Sequence, residues 1–88
     1  MEISYSSKFA RDYKKLPIGV KRIAEKKEII FRKNPFDQRL KTHKLKGCLS
    51  GFFSFSINQK YRIIFEIVNK NRIWFHSTGD HSVYKLWD

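Results

Sequence analysis

Residues 61–68, with the sequence YRIIFEIV, decide the fold of this chain. Their composition favours a strand, in which successive side chains point to opposite faces of a sheet. One face then carries Tyr61, Ile63, Phe65 and Ile67, and the other carries Arg62, Ile64, Glu66 and Val68. We expect helices to cover the first set, which leaves Arg62 and Glu66 on an open face that a ligand can reach.

One further strand is predicted before this one and one after it. Before it, Phe53, Phe55 and Ile57 alternate with Phe52, Ser54 and Ser56. After it, residues 72–78 form the last predicted strand, and residues 58–60 and 69–71 form the turns. Short connections of this kind join antiparallel neighbours, so the sequence predicts a three-stranded antiparallel meander.

The N-terminal half reads as a short strand followed by two helices. Ile3 and Tyr5 alternate with polar residues, and Ser6 or Ser7 offers an N-cap for a helix that runs to about Leu16. Pro17 ends this helix and can open the next, whose apolar positions follow helical spacing over residues 20–31. We therefore expect an α+β fold, in which an N-terminal strand and a helical hairpin precede the meander and the helices pack on one face.

Charge and length limit what the chain can be. Its 88 residues suffice for a single domain over 1–88, and its 41% hydrophobic content is that of a folding chain. Nineteen Lys and Arg against eight Asp and Glu give a net charge of +11, which indicates an anionic partner. Nucleic acid is the first expectation and an acidic protein the second, because neutralised phosphates release counterions and give affinity without sequence readout.

A membrane partner is not expected. No apolar run approaches the roughly 18–20 residues that span a bilayer, and the first residues lack the apolar stretch of a signal peptide. We therefore expect a cytoplasmic protein. Cys48 is the single cysteine, so neither an internal disulfide nor a cysteine-based zinc cluster can form, and we expect it to fill space beside Gly47.

Three segments of the chain carry a family resemblance: HKLKGCLSGFFSFSI at 43–57, YRIIFE at 61–66 and GDHSVY at 79–84. Together they resemble the RelE/ParE toxin superfamily of type II toxin–antitoxin systems, and most of all its RelE-type mRNA interferases, which include YoeB and YafQ. The resemblance implies a RelE-like sheet. It also implies two partners: the ribosome with its mRNA, and a cognate acidic antitoxin that wraps the toxin and is disordered in part.

The implied reaction is cleavage of mRNA in the ribosomal A site. A 2′-hydroxyl attacks the adjacent phosphate and leaves a 2′,3′-cyclic phosphate and a 5′-hydroxyl end. This transesterification needs a base, an acid and positive charge at the phosphate, and it requires neither a metal nor another cofactor.

The resemblance also assigns roles to four residues. Arg62 corresponds to an arginine that clamps the phosphate, and His81 to a C-terminal catalytic histidine. Tyr84 corresponds to an aromatic residue that orients the substrate. His43 lies ten residues before Phe53, where YoeB-like members place a catalytic glutamate, and YafQ-like members have a histidine in a similar "H-x-L-x-G" string. Alternatives stay open: Arg62 could pair with Glu66, and His43 could be a loop histidine that packs or caps.

Local charge suggests how the two histidines divide the work. Lys41, Lys44 and Lys46 disfavour a further positive charge on His43, whereas Asp80 favours one on His81. We therefore assign the general base to His43 and the general acid to His81. Residues 58–60 read Asn-Gln-Lys where YafQ-like toxins carry an acidic residue and a further histidine, so the mechanism is not transferred whole.

The RNA-binding residues are expected among the lysines near these positions, namely Lys41, Lys44, Lys46, Lys60 and Lys85. Basic residues on the helices add a general surface for ribosomal RNA. Alternation along the last strand does not fix the face of His76. Two other functions remain open: a ParE-like inhibitor of DNA gyrase, and a noncatalytic RNA-binding module, against which the aromatic residues argue because most are expected in the core.

Overall fold

The computed structural model describes residues 1–80 and Val83. The strands are β1 (Glu2–Tyr5), β2 (His43–Lys44), β3 (Phe53–Ser56), β4 (Arg62–Asn69) and β5 (Arg72–Gly79). The helices are α1 (Ser7–Lys14) and α2 (Ile18–Lys33), and short 3-10 turns lie at Gln38–Leu40 and Gly47–Leu49. Within these ranges no helix is long and apolar enough to span a membrane.

The start of α1 is set by Ser6, which confirms one of the two predicted caps. Its hydroxyl oxygen accepts a hydrogen bond from the Phe9 amide at 2.9 Å and donates to the carbonyl of His76 at 2.6 Å. The same side chain therefore caps the helix and ties it to β5. Pro17 lies at the N-cap of α2, which also confirms the predicted break between the helices.

Over residues 1–80 the sheet has five strands, in the order β1-β5-β4-β3-β2. β3, β4 and β5 form the predicted antiparallel meander. The predicted meander is only part of the sheet, because the N-terminal strand β1 pairs in parallel with β5 and the additional strand β2 pairs antiparallel with β3. The long connection between the parallel strands β1 and β5 contains both helices and the strands β2, β3 and β4, whereas β2 has only two residues and too short a pattern to be predicted.

Phe31 of α2 holds the helices on the sheet. It is fully buried, and its ring centroid lies 4.9 Å from Phe55 and Phe65 and 5.2 Å from Phe75. These partners come from β3, β4 and β5, so one helical side chain contacts all three strands of the meander. The core confirms the predicted covering of Ile63 and Phe65, with Tyr61 packed against it, whereas Ile67 is 37% exposed, so its predicted covering was wrong.

The opposite face of the sheet, called here the second face, carries Ser54, Ile64 and Ser77. Their Cα atoms are direct partners across β3, β4 and β5, and all three side chains are fully buried. The expectation that this face is open along β4 was therefore wrong at its centre. Leu49 and Val83 are also buried outside the main core.

A β-bulge at His76 decides which residues of β5 reach the second face. Ile64 pairs with Ser77, whereas the next residue, Phe65, pairs with Phe75, so His76 is the additional residue. The alternation of β5 changes phase there, which explains why the sequence does not fix the face of His76.

His76 belongs to an aromatic cluster on the second face, formed by Phe52, Trp74 and His76. The His76 ring lies 5.0 Å from Trp74 and 5.4 Å from Phe52, and its Nδ1 is 3.0 Å from Ser77 Oγ. Burial lowers the pKa of His76; the charge of Lys8 lowers it further and that of Asp12 opposes the change.

Phe31→Ala should destabilise the fold by about 3–5 kcal/mol, because it removes a buried ring that contacts three strands. Urea unfolding measures the change. Ile29→Ala is the matched control on the same helix, where the side chain is 59% exposed, and it should change stability by less than about 0.5 kcal/mol. Equal losses in the two variants would contradict the central place of Phe31.

His76 should make stability fall with acid. The pKa of His76 is lower in the folded state, so the unfolded chain binds the proton more readily. The stability that the neutral His76 allows is therefore present above pH 6.5 and is lost as the pH falls below it. Urea unfolding between pH 7 and pH 5 should therefore show wild type losing stability relative to His76→Gln. A constant difference between the two proteins over this range would refute the effect.

Candidate active site

His43 and Arg62 lie on the second face. His43 pairs with Ser54, and Arg62 pairs with Ser56 two residues further along β3. Direct partners share a face, and residues two apart on one strand share it as well. With strands about 4.8 Å apart and about 3.3 Å per residue, the two Cα atoms are about 12 Å from each other. An arginine and a histidine side chain can approach one phosphate across that distance.

Main-chain oxygens hold the Arg62 guanidinium in place. Its Nη1 donates to the carbonyl of Asn58 and, at 3.1 Å, to that of Tyr61. The side chain is half-buried, and these bonds do not involve Glu66, so the ion-pair alternative is wrong. A guanidinium has five donors, and carbonyl partners leave its positive charge uncompensated. Arg62 is therefore oriented without being neutralised.

Arg62 lines a basic cleft of about 400 Å³ beside the β3–β4 turn. The cleft residues are Lys27, Arg39, Lys41, Ser56, Ile57, Asn58, Gln59 and Arg62. Lys27 Nζ donates to the Arg39 carbonyl at 2.9 Å, which brings α2 to the cleft. Lys27 and Arg39 were not predicted here, because their approach depends on how α2 packs. No signal in the local sequence indicates it.

Within the cleft the cations differ in their charge balance. Arg39 forms an ion pair with Asp37 at 2.9 Å, and its hydrogen bonds lower the pKa of that carboxyl to about 2. Among the described residues, Lys27, Lys41 and Arg62 have no carboxylate partner. No acidic residue in the described part of the chain lines the cleft. Such an arrangement suits a phosphate.

His43 is exposed on β2, and its Nδ1 lies 3.2 Å from the carbonyl oxygen of Lys41. A carbonyl only accepts, so this contact calls for a hydrogen on Nδ1. In the neutral ring with that tautomer, Nε2 carries the lone pair that can accept a proton. The exposed ring does not support the alternative in which His43 packs against the core.

The other predicted lysines are spread around this region. Lys60 lies in the turn before β4 with Nζ 5.5 Å from the Tyr61 ring centroid, and Lys46 is exposed before the second 3-10 turn. Lys44 pairs with Phe53, which places it on the helix-covered side of the sheet, away from His43. Lys41 lines the cleft, and Lys44 is not among its described lining residues.

The C-terminal predictions, His81, Tyr84 and Lys85, lie outside the described residues. Gly79 is the last residue of β5 and pairs directly with Arg62. The chain therefore leaves the sheet beside the arginine. Beyond it, the Val83 amide donates to the carbonyl of Asp80 at 2.9 Å.

Two expectations about other residue types are changed by the structure. Cys48 is exposed, so the prediction that it fills space was wrong. Phe52 and Trp74 lie outside the main core and half-buried on the second face, so the expectation that most aromatic residues belong to the core does not hold for them. Among the described residues, no group of His, Cys, Asp or Glu could hold a metal ion.

The fold and the chain sequence match known toxins. The sequence model of the family "Bacterial toxin of type II toxin-antitoxin system, YafQ" matches residues 1–85. None of the curated proteins matches the chain in sequence.

Solved structures are similar over nearly their whole length. The YoeB/ParE toxin from Agrobacterium tumefaciens has a TM-score of 0.78 at 18% identity, covering 92% of this chain and 99% of that one. YafQ from Escherichia coli has a TM-score of 0.74 at 21% identity, with 94% and 96% covered. The YoeB–YefM complex from Staphylococcus aureus gives 0.74 at 25% identity, with 92% and 97% covered.

These similarities agree with the resemblance carried by the three sequence segments and with the RelE-like arrangement of helices and sheet. Because the family match extends over residues 1–85 of 88, this chain belongs to the YafQ family of bacterial toxins of type II toxin–antitoxin systems.

Proposed function

We propose that this toxin is a ribosome-dependent endoribonuclease that cleaves mRNA in the A site by transesterification. The observation that carries the proposal is the shared placement of His43 and Arg62 on the second face, beside a cleft whose Lys27, Lys41 and Arg62 form no ion pair with a described carboxylate. A base and a phosphate clamp on one face are what attack by a 2′-hydroxyl requires.

In this mechanism His43 Nε2 takes the proton of the 2′-hydroxyl, and the oxygen attacks the adjacent phosphorus. Arg62 stabilises the charge that develops on the phosphate oxygens, since its fork of donors can contact two of them. His81 gives a proton to the departing 5′-oxygen, and Tyr84 orients the substrate. The products are a 2′,3′-cyclic phosphate and a 5′-hydroxyl end. These groups supply proton transfer and charge stabilisation, so the step calls for no metal or cofactor.

Lysines around this face are proposed to hold the RNA backbone. Lys41 lines the cleft with Arg62, and Lys46, Lys60 and Lys85 extend the positive surface along the RNA. Lys44 takes part only where RNA also contacts the β2 edge of the sheet. Backbone contacts of this kind give affinity for mRNA and ribosomal RNA without sequence preference.

The second proposed partner is a cognate acidic antitoxin, disordered in part, that wraps the toxin. The net charge of +11 supports it, because an acidic segment would relieve self-repulsion in the toxin. The similar YoeB from Staphylococcus aureus has been solved in complex with YefM. Folding of such a segment on binding is consistent with a large complementary surface.

Arg62→Ala should lower the single-turnover rate of mRNA cleavage about 10²- to 10³-fold, the usual effect of removing one charge-stabilising donor group. Arg62→Lys should recover only part of the rate, because a point charge lacks the planar fork. Mapping of 5′ ends on translated mRNA in a reconstituted translation system measures both.

Lys70→Ala is the matched control, since Lys70 is exposed in the β4–β5 turn at the other end of the sheet, and it should cut like wild type. Thermal unfolding checks that the Arg62 variants fold. Intact mRNA together with inhibited DNA supercoiling would instead establish the gyrase inhibitor. Intact mRNA with normal growth would establish a noncatalytic RNA-binding module.

His43→Ala should remove the acidic limb of the pH–rate profile for single-turnover cleavage. A general base must be unprotonated, so its protonation is what lowers the rate in acid. The comparison is with His81→Ala, which should lose the alkaline limb of the profile. Identical profiles in the two variants would refute the division of roles.

A further inference from the structure

We propose that Phe52, Glu66 and Trp74 form a nucleobase site on the second face, which stacks one base of the bound RNA and selects bases with an exocyclic amino group. The inference rests on the proposed ribonuclease function and adds a source of nucleotide preference to it. It concerns the end of the second face that lies away from Arg62.

The three residues form one row across the sheet. Glu66 on β4 is the direct partner of Trp74 on β5, and the Phe52 ring, at the start of β3, lies 6.5 Å from the Trp74 ring with a tilt of 45°. The rings therefore meet over the strand that carries Glu66. Their spacing is that of mutual contact and leaves no slot between them, so a base would stack on the solvent side of Trp74.

Partial exposure separates this row from an ordinary core. The neighbouring row, Ser54, Ile64 and Ser77, is fully buried, whereas Phe52, Glu66 and Trp74 are each half-buried. Val68, two residues beyond Glu66, is 51% exposed. The buried part of the second face thus ends at the row formed by Phe52, Glu66 and Trp74. A flat indole at such an edge is a ready platform for a base.

Glu66 supplies the selectivity. Among residues 1–80 and Val83, no side chain forms a hydrogen bond or an ion pair with it, although the chain carries nineteen basic residues. An ionised carboxylate only accepts hydrogen bonds, so it favours the amino edges of adenine, cytosine or guanine over uracil. Its negative charge also repels phosphate. The face therefore attracts the backbone near Arg62 and a base near Glu66.

The Phe52 end of the row lies near the proposed base catalyst. His43 pairs with Ser54, and Phe52 comes two residues before Ser54, immediately ahead of β3. Diagonal neighbours of this kind have Cα atoms about 7–8 Å apart. Trp74 lies two strands beyond Phe52, so the base that it stacks belongs to a nucleotide further along the RNA than the linkage held between His43 and Arg62.

The test measures binding of 2′-O-methyl trinucleotides of adenine, cytosine or uracil, which cannot be cleaved by 2′-hydroxyl attack. The full chain carries Trp87→Phe, so that Trp74 is the single fluorescent tryptophan. Adenine and cytosine trinucleotides should quench Trp74 and bind more tightly than the uracil trinucleotide. Calorimetry gives the affinities of variants without Trp74.

Trp74→Ala should weaken binding of the adenine trinucleotide about ten- to hundredfold, the range measured for loss of one base–aromatic stack. Phe36→Ala is the matched control, because Phe36 is 53% exposed but packs edge-on against Phe53 of the core. Glu66→Gln should bring the uracil and adenine affinities together, since a carboxamide can donate as well as accept. Glu25→Gln, an exposed acid on α2, should leave their order unchanged.

Two outcomes separate this site from the proposed function. The first outcome is cleavage that requires Arg62 but occurs at the same sites and rates in Trp74→Ala and Glu66→Gln. It would overturn the nucleobase site and would be consistent with the proposed ribonuclease. Intact mRNA with Trp74-dependent trinucleotide binding would overturn the ribonuclease and support the base site. Unchanged trinucleotide affinities in both variants would also overturn the site.

Discussion

The pairing of β3 with both β2 and β4 is the constraint on which the proposed chemistry depends. Ser54 and Ser56 are the partners of His43 and Arg62, so the register of one four-residue strand places an imidazole and a guanidinium on the same face. A slip of one residue in either pairing would turn one of them to the helix side. Phe55, buried between these serines and stacked on Phe31, fixes that register from the core.

The spacing of apolar residues along the sequence was sufficient to predict the longer helices and strands. The meander and both helices follow from alternation and helical spacing, and Ser6 and Pro17 mark real helix ends. The partner of β1 depends on a crossover, which no local pattern reports. The bulge at His76 likewise arises from packing, and it moves Ser77 to the second face opposite Ile64.

The candidate site could be predicted in part, for a related reason. Arg62 and His43 are found through residue strings that resemble a family, and local alternation gives their side of the sheet. Lys27 and Arg39 reach the cleft only because α2 and the first 3-10 turn fold against each other, as the Lys27 contact to the Arg39 carbonyl records. Contacts between residues twelve positions apart on different elements leave no periodic signal.

Charge distribution finally explains why one face can treat RNA backbone and base differently. Glu2, Asp12, Glu28 and Asp37 each pair with a lysine or arginine, as electrostatics favours in a chain of net charge +11. Glu66 has no such partner among the described residues, and Arg62 on the same strand bonds to carbonyls instead of to it. Pairing those two would cancel both charges. Keeping them apart preserves a cation where phosphate must be held and an acceptor where a base edge can be read.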